Sequence, residues 1–279
     1  MAQPGALDRF RASEQVAAAF SDAGVRTVVA RDATTEPLRE IGDTWLLAYP
    51  WTDGTPVTLS RLTVDQARTV GGMLGHLHRR NLAHSGVPRP SARAISAEQW
   101  RDLAQRSAGQ PWSGPLTEAL PLLLKLSADC AAAADTLREE PTLVSHRDLV
   151  AENVLWDATG ASLIDWEAAT WINPMVELVS AAIDWSGYIE GRSDRAIFEA
   201  VIHGYRDTAP YDAAKARQAL PLSTASWLRW LAHNLSRASG TGEIDDAEQA
   251  LGVSQTVASL RATAKVPVHQ PLWRQWIGA

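Results

Sequence analysis

The sequence predicts an α+β fold in which a β-hairpin lies between helices. The N-terminal part combines one helical stretch with strand-like runs, and two long helical regions follow. A strand-rich segment with two apolar runs around a turn separates those helical regions. Because strands and helices are segregated along the chain, the pattern argues against an alternating parallel βαβ sheet.

The first 53 residues predict a short helix and a few strands. Residues 12–23 carry one apolar helical face, and Gly24 follows as a helix stop signal. VRTVVA and TWLLAYPW are β-branched or aromatic runs bounded by turn residues, which is typical of strands, and TEPLREIGD is predicted to connect them. These elements are too few to form an independent domain.

Helices predominate after residue 53. Thr63 with Gln66, and Ser96 with Gln99, form capping-box signals, in which each hydroxyl accepts from a first-turn amide. A further helix is predicted to run through the alanine-rich stretch to about Arg138. Proline-rich loops separate these helices.

The middle of the chain turns to β-structure. TLVSH reads as a strand, and VLWDATGASLID predicts a hairpin whose turn is Asp157-Ala158-Thr159-Gly160. The remainder is predicted to be helical, with Pro174 in a first turn, where its missing N–H costs nothing, and Pro221 as a break.

Composition excludes several classes of protein. With 46% apolar residues the chain can bury a core, while a net charge of −6 without a basic stripe argues against nucleic-acid binding. No run approaches the roughly 18 apolar residues of a membrane helix, and the N-terminus lacks a signal-peptide pattern, so a cytoplasmic location is expected. The single cysteine, Cys130, is predicted to be a buried core residue. His76 and His78 point to different faces of a helix, which makes a zinc site improbable.

One segment carries the chemistry: LVSHRDLVAENVLWDATGASLIDWE. Phosphoryl transfer needs a carboxylate that orients the attacking hydroxyl and oxygen ligands for the metal on the phosphates. Asp148 suits the first task, and Asn153 and Asp165 suit the second, because Mg²⁺ prefers a few hard oxygen ligands. His146 is predicted to stay neutral and to brace the loop through its ring nitrogens.

HRDLVAENVLW followed by LIDWE resembles the aminoglycoside phosphotransferase and choline kinase-like family, whose motif is His-x-Asp-x-x-x-x-Asn and then Ile-Asp-aromatic-Glu. The HRDL start also resembles the protein-kinase catalytic loop. NPMVELVSAAID resembles the family's Pro-x-x-(Asp/Glu)-Leu helix start, and TWLLAYPWTDGTPV resembles its last N-lobe strand, hinge and following loop. The resemblance covers roughly residues 12–188.

The resemblance implies a protein-kinase-like fold: a reduced N-terminal lobe and hinge over residues 1–53, and a mainly helical C-lobe with a buried catalytic hairpin over 54–279. It implies Mg²⁺ and ATP or GTP as cofactors. Nucleotide-binding candidates are Ala48, Tyr49, Pro50 and Glu14, and acceptor-binding candidates are Glu167, Glu177, Trp171 and Asp184. A solvated helix position for Glu14, a core position for Trp171 and solvated faces for the acidic residues remain alternatives.

Two features of the family's N-lobe are not visible. No small-residue loop for the phosphates stands out, and the first 124 residues contain no lysine. Three explanations stay open: the chain starts late, another cation such as Arg9 or Arg11 replaces the lysine, or a protein partner supplies the missing functions.

The function predicted first is an ATP- or GTP-dependent O-phosphotransferase acting on a hydroxyl of a small polar molecule, of the aminoglycoside type or similar. The alternative enzyme is a Ser/Thr kinase acting on a peptide. A catalytically impaired scaffold or regulatory protein is the alternative from another class.

Overall fold

The computed structural model describes residues 5–82, 87, 89, 94–240 and 245–278. The chain forms two compact units. The first comprises Met1–Pro90, Pro141–Gly187 and Asp194–Asp212, and the second comprises Ser91–Glu140, Tyr188–Ser193 and Ala213–Ala279. The lobe boundary predicted at residue 53 stays a prediction, and the proline-rich loop over 84–93 lies largely outside the described residues.

The helices are α1 (Ala6–Asp22), α2 (Val64–Arg80), α3 (Ala97–Arg106), α4 (Ser113–Thr136), α5 (Pro174–Trp185), α6 (Arg195–Arg206), α7 (Ala213–Ala219), α8 (Ala225–Ala238), α9 (Asp246–Thr263) and α10 (Val266–Trp276). The strands are β1 (Leu38–Ile41), β2 (Thr44–Leu47), β3 (Thr55–Pro56), β4 (Leu143–Ser145), β5 (Val154–Asp157), β6 (Gly160–Leu163) and β7 (Thr170–Ile172). No helix among the described residues is long and apolar enough to cross a membrane.

Local sequence signals place several of these elements correctly. Both capping boxes are formed, at the starts of α2 and α3. The predicted hairpin is β5–β6, in register from Val154 opposite Leu163 to Asp157 opposite Gly160. Pro174 is the first residue of α5, and Pro221 lies in a 3-10 turn between α7 and α8.

The N-terminal strands differ from the prediction. VRTVVA forms no strand. Its Thr27 makes a single parallel bridge to Leu163, and the backbone on either side of Thr27 forms hydrogen bonds with the edge of the β5–β6 hairpin. The first strand, β1, lies instead in the segment predicted as a connection. It pairs antiparallel with β2 through a two-residue turn, in which Gly42 adopts φ +60°, a conformation that favours glycine.

Helix α1 is longer than predicted and begins at Ala6 rather than at residue 12. The extra turn is supported by the ion pair between Arg11 and Asp8, 3.0 Å apart at i and i+3. Val16 and Phe20 are fully buried, as the apolar face predicts.

The second unit is almost entirely helical among its described residues. Trp100 of α3 is buried and its indole N–H donates to the hydroxyl of Ser127 of α4 at 2.8 Å. Cys130 is buried on α4, as predicted. Tyr188 stacks on Trp227 and meets the edge of Trp273, so aromatic rings fill much of this core.

The first unit is built around close packing of α2 against α6. A methyl group added at Gly71 of α2 would lie 2.0 Å from the carbonyl oxygen of Val201, and one at Gly204 of α6 would lie 1.9 Å from that of Arg68. Glycine therefore permits the two helix backbones to touch here. This contact fixes α2 beside α6. Helix α2 also contacts α5, which supports the loop that carries Asp148.

Substitution of two adjacent glycines tests this packing. We expect Gly71→Ala to lower the free energy of unfolding by about 2 kcal/mol, because helix α6 must move away. Gly72→Ala is the matched control: its methyl would have no neighbour closer than 3.7 Å, so the gain in helix propensity, about 1 kcal/mol, should dominate. Urea denaturation followed by tryptophan fluorescence measures both; equal effects would contradict the packing.

Candidate active site

Asp148 and Asn153 are hydrogen-bonded to each other just before the β5–β6 hairpin. The side-chain amide nitrogen of Asn153 donates to the backbone carbonyl and to the carboxylate Oδ2 of Asp148, both at 2.9 Å. Since both partners only accept, the amide orientation is determined, and Oδ1 of Asn153 makes no hydrogen bond to a described residue. The five-residue spacing thus closes a loop that presents one amide oxygen for another ligand.

His146 is fully buried, and both of its ring nitrogens form hydrogen bonds. Its Nε2 lies 2.8 Å from the carbonyl oxygen of Ile164, while Nδ1 accepts from the backbone N–H of Asp148 at 3.3 Å. One nitrogen donates and the other accepts, which is the pattern of a neutral imidazole. Burial lowers the pKa of His146, and this too favours the neutral form.

Asp165 follows directly after β6 and points out of an unusual backbone conformation. Its φ is +62°, in the left-handed region, and its carboxylate is exposed. The next residue, Trp166, is buried. Its ring centroid lies 4.7 Å from that of His146, and its indole N–H donates to the hydroxyl of Thr27 at 2.6 Å. Trp166 therefore fixes the position from which Asp165 projects.

Three carboxylates of this region influence one another. Partial burial and, among other effects, the neighbouring Asp165 raise the pKa of Asp148. Partial burial raises the pKa of Glu167, and the charges of Asp165 and Asp148 add to the effect. Like charges that disfavour ionisation in this way form a site that attracts cations.

A buried hydrogen-bond network, which the sequence did not predict, supports the loop of Arg147 and Asp148 from the interior of the first unit. Glu177 of α5, 3% exposed, accepts the backbone N–H of Arg147 at 2.6 Å and contacts Nε2 of His78 at 2.8 Å. Nδ1 of His78 lies 2.9 Å from the hydroxyl of Tyr205. Burial alone raises the pKa of Glu177, but the bonds from His78 and from Arg147 bring that pKa below its ordinary value. Only the motif start at Pro174 and Glu177 hinted at this role.

One of the predicted nucleotide-binding residues, Glu14 of α1, is a second buried carboxylate, and another of them, Tyr49, contacts it. Glu14 is 3% exposed, accepts the N–H of Ala30 at 3.1 Å and the hydroxyl of Tyr49 at 2.5 Å, so it is not a solvated helix residue. The carbonyl of Ala48 accepts from the N–H of Arg31 at 2.8 Å. Ala48, Tyr49 and Pro50 are all exposed. Partial burial of the Tyr49 phenol and, next in size, its hydrogen bond to Glu14 raise the pKa of Tyr49. Their role towards nucleotide stays a prediction.

The predicted acceptor-binding residues occupy different environments. Glu167 is exposed beside Asp165, and Asp184 is half-buried on α5. The ring of Trp171 already carries a cation, since the guanidinium carbon of Arg89 lies 4.1 Å from its centroid. Glu177 faces the interior, where both its oxygens are engaged. Arg11, considered as a replacement cation, pairs with Glu36 at 2.9 Å.

The family assignment follows from the comparison of the whole chain with models of protein families. Residues 2–217 match the model of the phosphotransferase enzyme family. The chain belongs to the phosphotransferase enzyme family. No curated protein matches the sequence significantly.

Solved structures show the same fold at low sequence identity. A spectinomycin phosphotransferase, solved with ADP and spectinomycin, superposes with a TM-score of 0.66 at 11% identity, over 91% of this chain and 81% of that one. An aminoglycoside phosphotransferase from Alicyclobacillus acidocaldarius gives 0.61 at 15% identity, over 98% and 84%. A choline kinase from Cryptosporidium parvum gives 0.57 at 14% identity, over 96% and 82%. The predicted α+β, protein-kinase-like fold class is confirmed.

In this phosphotransferase, the donor set around Asn153 fits a divalent cation. Among the described residues no three His, Cys, Asp or Glu side chains form a metal cluster by themselves. Magnesium at a phosphate site takes one or two protein oxygens, with water and phosphate completing its shell. The unbonded Oδ1 of Asn153 and the carboxylate of Asp165 are hard oxygen donors of that kind.

Removal of the Glu177 carboxylate tests the buried network. We expect Glu177→Ala to lower the free energy of unfolding by about 3 kcal/mol, because a buried histidine and a backbone N–H lose their acceptor. Glu177→Gln should cost less, since one amide oxygen remains. Urea denaturation at pH 7 measures both.

The pH dependence gives a second reading of the same variants. Because the pKa of Glu177 lies below its ordinary 4.5 in the folded chain, its contribution is complete above about pH 4.5 and is lost as the pH falls further. The stability gap between wild type and Glu177→Gln should therefore narrow below that pH. The exposed Glu118→Gln serves as the control and should show no such gap; a gap that stays constant with pH would contradict the assignment.

Proposed function

We propose that this chain transfers the γ-phosphoryl group of ATP or GTP to a hydroxyl of a small polar molecule. The observation that carries the proposal is the clamp between Asn153 and Asp148, which ties an acceptor-side carboxylate to an amide whose oxygen is free for a metal. Two similar structures support the cofactor class: the spectinomycin phosphotransferase was solved with ADP, and an amicoumacin kinase, of TM-score 0.55 and 12% identity, with AMP-PNP, Ca²⁺ and amicoumacin. Family membership supports the reaction class.

Asp148 is the proposed base. The acceptor oxygen forms a bond to the γ-phosphorus, the bond from that phosphorus to the β–γ bridging oxygen breaks, and the hydroxyl proton moves to Asp148 while the nucleoside diphosphate leaves. Its carboxylate is held by Asn153 and stays partly exposed, so it is oriented without being sealed from an acceptor. The raised pKa makes this carboxylate a better proton acceptor than an ordinary aspartate.

Asn153 and Asp165 are the proposed magnesium ligands, with Glu167 beside them. When bound, the ion neutralises charge on the phosphates and aligns them for in-line transfer. Trp166 holds Asp165 in place, and Glu177 holds Arg147 so that the loop presents Asp148. We assign Glu177 as a positioning residue, not as an acceptor contact, because its oxygens are turned inward.

Family membership supports a small molecule as the acceptor, and a screen of candidate acceptors identifies its chemical class. Purified protein with ATP or GTP and magnesium is incubated with aminoglycosides, choline and ethanolamine, nucleosides, and Ser-containing peptides. Release of the nucleoside diphosphate above the acceptor-free rate identifies the substrate class. Turnover of peptides alone would favour a protein kinase, and no turnover together with no nucleotide binding at millimolar concentration would favour a scaffold.

Two substitutions separate binding from chemistry. We expect Asp148→Asn to lower kcat by roughly 10²- to 10⁴-fold while nucleotide affinity is retained, since only the base is lost. Asp165→Ala should instead abolish the magnesium-dependent part of nucleotide binding in calorimetric titrations. Asp102→Asn, which alters an exposed carboxylate of α3, is the control and should match wild type in both measurements. Retention of magnesium-dependent binding in Asp165→Ala would refute the ligand assignment.

The pH–rate profile tests Asp148 directly. Because the base acts only when ionised and its pKa is raised above the ordinary 3.8, kcat/KM should fall as the pH drops through a value higher than 3.8. Asp148→Asn should lose this acidic limb, although its overall rate is low. An identical limb in the variant would assign the titration to another group.

A further inference from the structure

A cavity of about 380 Å³ opens on the first unit away from the residues assigned so far. It lies between the end of α1, the outer part of α2 and the turn of the β5–β6 hairpin. This turn is the end of the hairpin opposite to Asn153 and Asp165, and strands of four residues span roughly 13 Å. The volume falls in the range that small-molecule sites occupy, about 300–1,000 Å³.

The side chains with charge or proton affinity that line this cavity are all basic. They are Arg26, His76, Arg79 and Arg80. The nearest carboxylate engaged with the group is Asp157, which pairs with Arg26 at 3.1 Å.

The two arginines of α2 that line the cavity have no carboxylate partner among the described residues. Arg79 contacts only the ring nitrogen Nδ1 of His76, at 3.3 Å, and Arg80 forms no hydrogen bond or ion pair to the described part of the chain. Arg68 on the same helix, by contrast, pairs with Asp207 at 2.6 Å. One carboxylate against three guanidinium groups leaves two positive charges at the cavity.

Glycines bring two of these guanidinium groups close to the cavity wall. A methyl group at Gly24 would lie 3.9 Å from Nη2 of Arg80, and one at Gly160 would lie 3.0 Å from Nη1 of Arg26. Both glycines have positive φ, a conformation that disfavours side chains, and at Gly160 the short distance disfavours them as well. The guanidinium groups thus flank the cavity from the helix side and from the hairpin side.

We propose that this cavity binds a small anion that carries phosphate or carboxylate groups, at a site separate from the active site. Guanidinium groups match the planar or tetrahedral oxygens of such anions with paired N–H donors. The bound anion offsets the two positive charges that no carboxylate of the described residues neutralises. It contacts the turn of the hairpin whose other end carries the proposed metal ligands.

Calorimetric titration of the full chain in metal-free buffer at constant ionic strength tests the proposal. Pyrophosphate and citrate are the two probes, and the tighter one identifies the anionic group. We expect saturable binding of one molecule per chain by at least one probe. Arg79→Gln and Arg80→Gln should each weaken it by about ten- to a hundredfold, as expected for the loss of one charged hydrogen-bonding partner. Arg80→Lys, which keeps the charge but not the paired donors, should lie between.

Two control variants make the result specific. Arg101→Gln removes the same charge from an exposed position of α3 outside the cavity and should bind as wild type does. Asp165→Ala should also bind the probe unchanged, which separates this site from the nucleotide site. No binding to wild type, equal weakening in Arg101→Gln, or an effect of Asp165→Ala without one of Arg80→Gln would overturn the proposal. Thermal unfolding of each variant confirms that it is folded.

Discussion

The buried carboxylate of Glu177 holds the loop that carries Asp148 in shape. It accepts from the backbone of Arg147, whose φ of +69° is a left-handed conformation that costs roughly 1–3 kcal/mol for a residue other than glycine. The hydrogen bond to a charged acceptor is of comparable size, about 1.5–3 kcal/mol, and offsets that cost. His78 and Tyr205 complete the network, so the close packing of α2 on α6 is part of what keeps the loop in place.

The hairpin repeats this principle on its other side. Asp165, at φ +62°, is a second residue with a left-handed backbone. It follows strand β6, and beside it the rings of Trp166 and His146 pack against each other. The carbonyl of Ile164 accepts from His146 and its N–H donates to the carbonyl of Asn153. Two of the four residues other than glycine that have positive φ in the described part of the chain, Arg147 and Asp165, thus lie at turns flanked by buried and hydrogen-bonded residues. Side chains that are exposed, Asp148 and Asp165, therefore project from a backbone that cannot relax without breaking interior contacts.

Features determined by neighbours in sequence were predictable, and features determined by distant partners were not. The capping boxes at Thr63 and Ser96 and the β5–β6 hairpin depend on residues a few positions apart, and their patterns were sufficient. The partner of Glu177, His78, lies 99 residues away, and nothing in the local pattern of either residue predicts the contact. Trp171 was a candidate for binding the acceptor; its ring faces Arg89, again a contact that only the folded chain defines. The strand prediction for VRTVVA was wrong for the same reason, since a strand forms only where a neighbouring segment pairs with it through a series of backbone hydrogen bonds.

The environment of Glu14 bears on how charge is balanced at the nucleotide side. The resemblance made Glu14 a nucleotide-binding candidate, with a solvated helix position as the alternative; it is buried instead, and its partners among the described residues are neutral donors, the N–H of Ala30 and the hydroxyl of Tyr49. Partial burial and the hydrogen bond to Glu14 raise the pKa of Tyr49, and the charges of Glu14, Asp165 and Glu167 raise it further. The predicted hinge and the predicted metal ligands therefore share one negatively charged region. The phosphates of a nucleotide are anions and approach such a region more readily when cations accompany them, which agrees with the role proposed for the oxygens of Asn153 and Asp165 as metal ligands.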